Sequence, residues 1–253
     1  WILGENSKSV TIVENPYARP DEAAFLSGFL KKLKEHFNGS YQKIDRLSSV
    51  AWVGSISDEE ELMKNYHQKT RNCLRKFQNS GSNIYSLNSE HREYNNVLLW
   101  LYEQHHKSIL AKGGKPKPWS YFASLADSFT PDRFELKVAK LNGQKLGGVL
   151  NFRLGNQREY WTPVTTEIGM KINVMYGLIH ESLLDVVGLS GACLNFGGSW
   201  NSQTELQRFK NRFGSETRGY SYHCFINCDE ILSAPPALLN KNYEFFFLRD
   251  FSK

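Results

Sequence analysis

The chain has 253 residues, long enough to bury a sizeable core in one large domain or two small ones. Hydrophobic residues make up 40% and charged residues 23%, an ordinary globular balance, and no stretch approaches the roughly 18–20 apolar residues of a membrane span. The net charge of +5 is mild, so its information lies in where the cations fall rather than in their sum.

From the start, Trp1-Ile-Leu-Gly-Glu5 has neither a basic head nor a long apolar run, and no initiator Met precedes it; the expectation is a trimmed chain without a signal peptide. Val10–Val13 reads as a short strand and Asn15–Pro20 as a loop. Asp21 is placed as the cap of a helix whose Phe25, Leu26, Phe29, Leu30, Leu33 and Phe37 recur at three- and four-residue spacing up to Asn38-Gly39. Tyr41–Leu47 and Val50–Val53 read as two strands. The run Ser57-Asp-Glu-Glu60 opens one helix to about Asn79, stopped at Ser80-Gly81. A second long helix is expected over about 90–110, a basic loop over Lys112–Pro118, and a third helix over 119–129.

Three β runs follow, Phe134–Leu141, Leu146–Leu154 and Arg158–Val164, the first two joined by the hairpin signal Asn142-Gly143. A helix over about 173–187 ends at Gly188, Cys193–Phe196 is a short buried strand leading into Gly197-Gly198-Ser199, and a polar helix covers about 202–213. Strands around 217–226 and 243–249 complete the chain. The order from about residue 90 is too mixed for a β-sandwich or a doubly wound sheet. It resembles the GNAT fold, an α/β class with a mixed sheet.

Three segments resemble the Fem family of aminoacyl and acyl transferases. Residues Tyr66–Phe77, followed by Gly81, resemble its helix "R-x-x-[IL]-R-K-[AF]"; Leu194–Ser199 followed by Leu206–Gly214 resembles its short strand, Gly-rich turn and helix ending "F-K-x-x-F-G". Between them, Leu141–Val149 resembles the "x-G-x-x-[IL]-G-G" hairpin. The resemblance implies two packed GNAT-like domains, residues 1–88 holding a degenerate or partial first one and residues 89–253 the transferase domain. It implies transfer of an aminoacyl or acyl group to an amine, often on a cell-wall precursor. The donor would be aminoacyl-tRNA, or an acyl thioester on coenzyme A or an acyl carrier protein. No permanently bound cofactor is implied. One departure concerns Thr165–Val174, which has a single Gly and an acid, Glu167, where coenzyme A-using GNAT enzymes carry a Gly-rich pyrophosphate loop.

Within that frame Lys210 is the leading catalytic candidate, beside Phe209, as a cation for charge developing on a leaving ester or a phosphate. A helix-surface lysine is the competing role, since Arg208 and Arg212 flank it. Gly197, Gly198 and Ser199 would let a substrate approach the backbone and offer amides to an oxyanion, or simply form a tight turn. Tyr160 and Trp161 alternate on a strand beside the expected cleft, one facing in and the other belonging to the core. Glu167 and His180 are the nearby candidate bases, His180 reading better as a satisfied buried histidine among leucines.

On the helix over 58–79, Lys64, Gln68, Arg71 and Arg75 share one face, with Arg71 and Arg75 suited either to bidentate phosphate recognition or to an interdomain ion pair. With the basic run at 107–117 they would form a surface for a nucleotide-linked acceptor or tRNA, or a solvated face. The cysteines at 73, 193, 224 and 228 fit no zinc or redox spacing even with His223 beside Cys224, so no metal is expected and reduced thiols suit a cytoplasmic protein. Two rival readings remain: a coenzyme A- or carrier-dependent N-acyltransferase with a divergent donor loop, and a non-catalytic GNAT-like binding domain.

Overall fold

The computed structural model describes residues 7–199 and 203–242. Its elements in chain order are β1 (Ser9–Val13), α1 (Pro20–His36), β2 (Ser40–Trp52), α2 (Glu59–Asn65), α3 (Gln68–Gln78), β3 (Asn83–Leu87), α4 (Tyr94–Ala111), α5 (Trp119–Ala123) and α6 (Leu125–Ser128), followed by β4 (Phe134–Leu141), β5 (Gln144–Leu154), β6 (Gln157–Thr165), α7 (Glu167–Lys171), α8 (Val174–Leu184), β7 (Cys193–Ser199), α9 (Thr204–Asn211), β8 (Glu216–Ile226), α10 (Asp229–Ser233) and α11 (Pro236–Asn242). The class is mixed α/β, as the element order implied.

The chain divides into two compact units, Trp1–Ser48 with Gly198–Gln203 and Thr217–Lys253, and Ser49–Gly197 with Thr204–Glu216. The division does not fall at residue 88. Leu62, Tyr66, Leu74 and Phe77 share one buried cluster with Leu146, Val174 and Leu178, which draws α2 and α3 into the second unit. The chain's late strand β8 instead pairs antiparallel with β1, Thr11 facing Cys224. Amphipathic helices show in sequence which face they bury, but not against what.

In the second unit the strand order is β7-β6-β5-β4-β3. The pairs β3–β4, β4–β5 and β5–β6 are antiparallel, and β6–β7 is parallel. The strand at 193 thus joins the same sheet as 144–165, as expected. The β4–β5 turn is carried by Asn142 and Gly143, both at positive φ (50° and 80°), which Asn-Gly supplies at little steric cost. On one face α8 lies across the sheet, burying Val174, Leu178, Ile179 and Leu183. On the other, α4 and α5 cover a second cluster around Leu98, Leu101, Phe122 and Phe134.

In the first unit the order is β1-β8-β2. Cys224 and Ile226 of β8 and Ile44 of β2 pack with Ile231 and Leu239 of α10 and α11. Residues 41, 43 and 45 of β2 lie on the opposite face, since strand side chains alternate.

Several elements differ from the sequence expectation, each for a local reason. The strands expected over 41–47 and 50–53 merge into one, β2, which ends at Trp52, because Ser48 and Ser49 are buried within it rather than turning. The helix expected over 58–79 breaks at Tyr66, whose backbone is extended (φ −78°, ψ 143°). There the His67 imidazole caps α3 by accepting the Lys69 N–H at 3.1 Å. Within the run Ser57–Glu60 it is Asp58 that caps α2, by accepting the Glu61 N–H. Helix α1 starts at Pro20, its Arg19 N–H bonded to the Glu22 carboxylate at 3.0 Å, so Asp21 sits in the first turn rather than at the cap. The helix over 119–129 is two short pieces. Gly197, Gly198 and Ser199 lie inside β7 rather than in a turn after it. Strand β3 and helices α7, α10 and α11 were not anticipated, and the strand expected at 243–249 lies outside the described residues. Among the described residues no helix is long and apolar enough to cross a membrane.

Candidate active site in the second unit

Along β6, Arg158 and Tyr160 are buried on one face, while Glu159 and Trp161 share the other and are partly covered; the alternation breaks at Thr162 (φ 49°), so Val164 packs in the same cluster as Trp161. β6 and β7 pair through three rungs, Gln157–Cys193, Arg158–Leu194 and Glu159–Asn195. β6 continues to Thr165 and β7 to Ser199 beyond that register, so Glu159 and Asn195 stand at its last rung.

A hydrogen-bonded group is built around that rung. The Asn195 side-chain amide donates to Glu159 Oε2 at 2.7 Å, and its oxygen accepts the Gly197 N–H at 3.0 Å. Gly197 adopts φ +73°, a left-handed conformation that favours glycine, and presents its carbonyl to Lys210 Nζ at 2.8 Å. Burial pushes the Glu159 carboxyl up to about 7, against the opposing pull of the Asn195 hydrogen bond and the Lys210 charge. Burial pushes the Lys210 ammonium down to about 8, against the Glu159 charge that favours it. Each group therefore titrates near neutrality, the property expected of acid–base machinery.

Lys210 is only 4% exposed, so the helix-surface role does not apply; Arg208 takes it, in an exposed pair with Glu205. Phe209 holds α9 in place, its ring centroid 5.4 Å from Tyr176 and 5.5 Å from Phe213. The Gly197 N–H is taken by Asn195, so it is not an oxyanion donor. Gly198 and a buried Ser199 belong to the first unit.

The structure does not gather the remaining candidates here. The Tyr160 hydroxyl donates to Met175 Sδ and its ring meets Phe196 within the core. Trp161 packs against the tilted rings of Tyr121 and Phe122 and edge-to-face with Phe152, with Lys117 Nζ 4.9 Å from its centroid. Arg71 Nη1 donates to the Tyr66 carbonyl, closing the gap between α2 and α3, while exposed Arg75 reaches Asn72. The break at Tyr66 also removes Lys64 from their face, and it pairs with Glu60 at 2.9 Å. His180 is buried between the Tyr66 hydroxyl and Glu59, at 3.1 Å from each, the satisfied-histidine role. Glu167 is exposed in the first turn of α7.

Sequence reasoning missed Glu159 and Asn195. The available signal was strand alternation, which sets Glu159 on the same face as Trp161. All four cysteines are unbridged, and among the described residues no group of three His, Cys, Asp or Glu side chains could hold a metal ion.

No family model matches the chain, and no curated protein matches it. Solved structures do. The crystal structure of FemX superposes with a TM-score of 0.64 at 14% identity, over 90% of this chain and 74% of that one. A conserved protein of unknown function from Bacteroides thetaiotaomicron gives 0.56 at 11% identity, over 79% and 67%. The C-terminal domain of a putative lysylphosphatidylglycerol synthetase from Agrobacterium fabrum gives 0.50 at 9% identity, over 79% and 66%. The fold is accordingly similar to that of FemX, as the resemblance of the three motifs implied.

Proposed function

We propose that this chain is a transferase that moves an acyl or aminoacyl group onto an amine, with Glu159 as base and Lys210 as the electrostatic partner of the leaving group. The observation that carries the reading is the buried group Glu159–Asn195–Gly197–Lys210 at the last paired rung of β6 and β7. The amine nitrogen attacks the acyl carbon and passes its proton to Glu159; the bond to the leaving oxygen or sulfur breaks, and the Lys210 ammonium stabilises the charge that develops there. A carboxyl raised to about 7 is basic enough to take that proton at neutral pH, and Asn195 fixes the oxygen it bonds.

The donor is an aminoacyl ester or a carrier-bound acyl group in preference to acetyl-CoA. Where a Gly-rich pyrophosphate loop would lead into the central helix, the chain inserts α7, capped by Thr166 Oγ1 accepting the Gly169 N–H at 3.1 Å. Asn173, in a left-handed conformation (φ 62°), then starts α8. The fold shared with FemX and the Fem-like motifs favour an acceptor amine on a small anionic precursor. The test compares product formation from aminoacyl-tRNA, acetyl-CoA and an acyl carrier thioester, for wild type, Glu159→Gln and Lys210→Met. Turnover should fall on the order of a hundredfold or more in each variant. Undiminished turnover in both would remove the pair from the chemistry, and brisk use of acetyl-CoA would overturn the donor preference.

A further inference from the structure

A helix laid on a sheet ordinarily meets an apolar face. The face of the first unit beneath α1 carries, beside Phe225 and Ile12, a row of polar groups that bond to one another: Lys43 with Asp45 at 2.8 Å, Ser221 to Asp45 at 2.8 Å, Tyr41 with His223 at 2.8 Å and His223 with Glu14 at 2.9 Å. At one end α1 is anchored by Phe37 against Phe225, ring centroids 5.3 Å apart. Along α1 from Ala23 to Glu35 a cavity of about 560 Å3 separates helix from sheet, between Glu14, Gly219 and His223 on one wall and Leu26, Leu30 and Lys34 on the other. A volume of this order suits a small-molecule site.

We propose that this cavity binds a small zwitterion, an α-amino acid or the end of a short peptide, its ammonium on Glu14 and its carboxylate on Lys31 and Lys34. His223 is 3% exposed and acts as a brace: its Nε2 is bonded to the Glu14 carboxylate and its Nδ1 to the Tyr41 hydroxyl. That chain of bonds fixes a carboxylate at the mouth of the cavity, with the Glu14 side chain 34% exposed. Lys34 Nζ stands 4.1 Å from the Tyr41 centroid, and Lys31 lines the same cavity one turn earlier on α1. A simple anion would meet Glu14 and Glu35, and a simple cation would meet the two lysines. A molecule bearing both charges satisfies both walls and lays its apolar body on Leu26 and Leu30. Gly219 leaves the space open, since a Cβ built there meets nothing within 4 Å. The site lies wholly in the first unit and does not depend on the transferase reading.

Calorimetric titration of the whole chain with the proteinogenic amino acids and dialanine tests it. Saturable binding of an apolar member, leucine being the expected best, should be at least about tenfold tighter than binding of isopentylamine or 4-methylpentanoate, which each lack one charge. Glu14→Gln and Lys34→Met should each weaken leucine binding roughly tenfold. Gly219→Val fills the cavity without a clash and should abolish binding at an unchanged melting temperature. Failure of every amino acid and of dialanine to bind, a one-charge analogue binding as tightly as leucine, or full binding by Gly219→Val would each overturn the proposal.

Discussion

At the scale of single residues, Lys210 was legible because a motif singled it out from its neighbours Arg208 and Arg212, and the structure separates the three by burial. Glu159 was not legible. Its anchor, Asn195, arrives from a parallel strand 36 residues later, and nothing local announces that a carboxylate among aromatics will be desolvated. The two shifts make opposite-signed claims about stability. Glu159 is raised from 4.5 to about 7, so its stabilising contribution is full below about 4.5 and lost as pH rises through about 7. Lys210 is lowered from 10.5 to about 8, so its contribution is present above about 10.5 and lost as pH falls through about 8. Both losses overlap between about pH 7 and 8, where the pair is ionised. The urea midpoint of the wild type should therefore dip across that window, and in Glu159→Gln/Lys210→Met the dip should be absent. The same window should hold the activity. On the proposed mechanism the base must be deprotonated and the cation retained, giving a bell-shaped rate profile with limbs belonging to the pair near 7 and 8. A flat rate profile from pH 6 to about 9 would dismiss the assignment.

At the scale of elements, the β4–β5 hairpin and α8 were legible because Asn142-Gly143 and an apolar helical run are local signals. The break between α2 and α3 was not, because it depends on tertiary contacts. Tyr66 leaves the helical conformation to place its ring in the core, 5.4 Å from Phe213, and its hydroxyl on His180. Arg71 then caps the freed Tyr66 carbonyl. Loss of that bond in Arg71→Ala should cost about 1 kcal/mol in urea unfolding, whereas Arg75→Ala, whose side chain is exposed, should stay within about 0.5 kcal/mol. Equal, large losses of phosphate-ligand binding in both, without a stability difference, would instead favour a recognition role. Helix α8 also needs Gly177, because a Cβ there would clash with Cε1 and Cδ1 at the edge of the Phe77 ring of α3. Gly177→Ala should therefore destabilise by about 1–3 kcal/mol despite alanine's better helix propensity. A variant as stable as wild type would show that the α3–α8 contact can relax.

At the scale of the whole molecule, the order of strands and helices after residue 90 could be read because each step is short in sequence. The first unit could not, because it is assembled from both ends of the chain. β1 pairs with β8 across more than two hundred residues, Thr11 Oγ1 meeting Cys224 Sγ with a sequence separation of 213. Contacts of that separation leave no local trace, and the division into compact units does not follow the order of elements. The observed division makes a direct prediction. Residues 49–216 contain the whole second unit and, beyond it, only 198–203 from the first. That segment carries both large buried clusters, the group of strands from β3 to β7, and Glu159, Asn195 and Lys210 together. Expressed alone, it should give a near-ultraviolet circular dichroism spectrum of packed aromatics and one cooperative urea transition. It should lack leucine binding, since Glu14, Lys34 and His223 are all left behind. The flanking pieces, 1–48 and 217–253, should each remain unfolded singly, because the pairing of β1 with β8 needs both. A 49–216 fragment without a cooperative transition would mean that the second unit is not an independent folding unit, and that the chain folds as one.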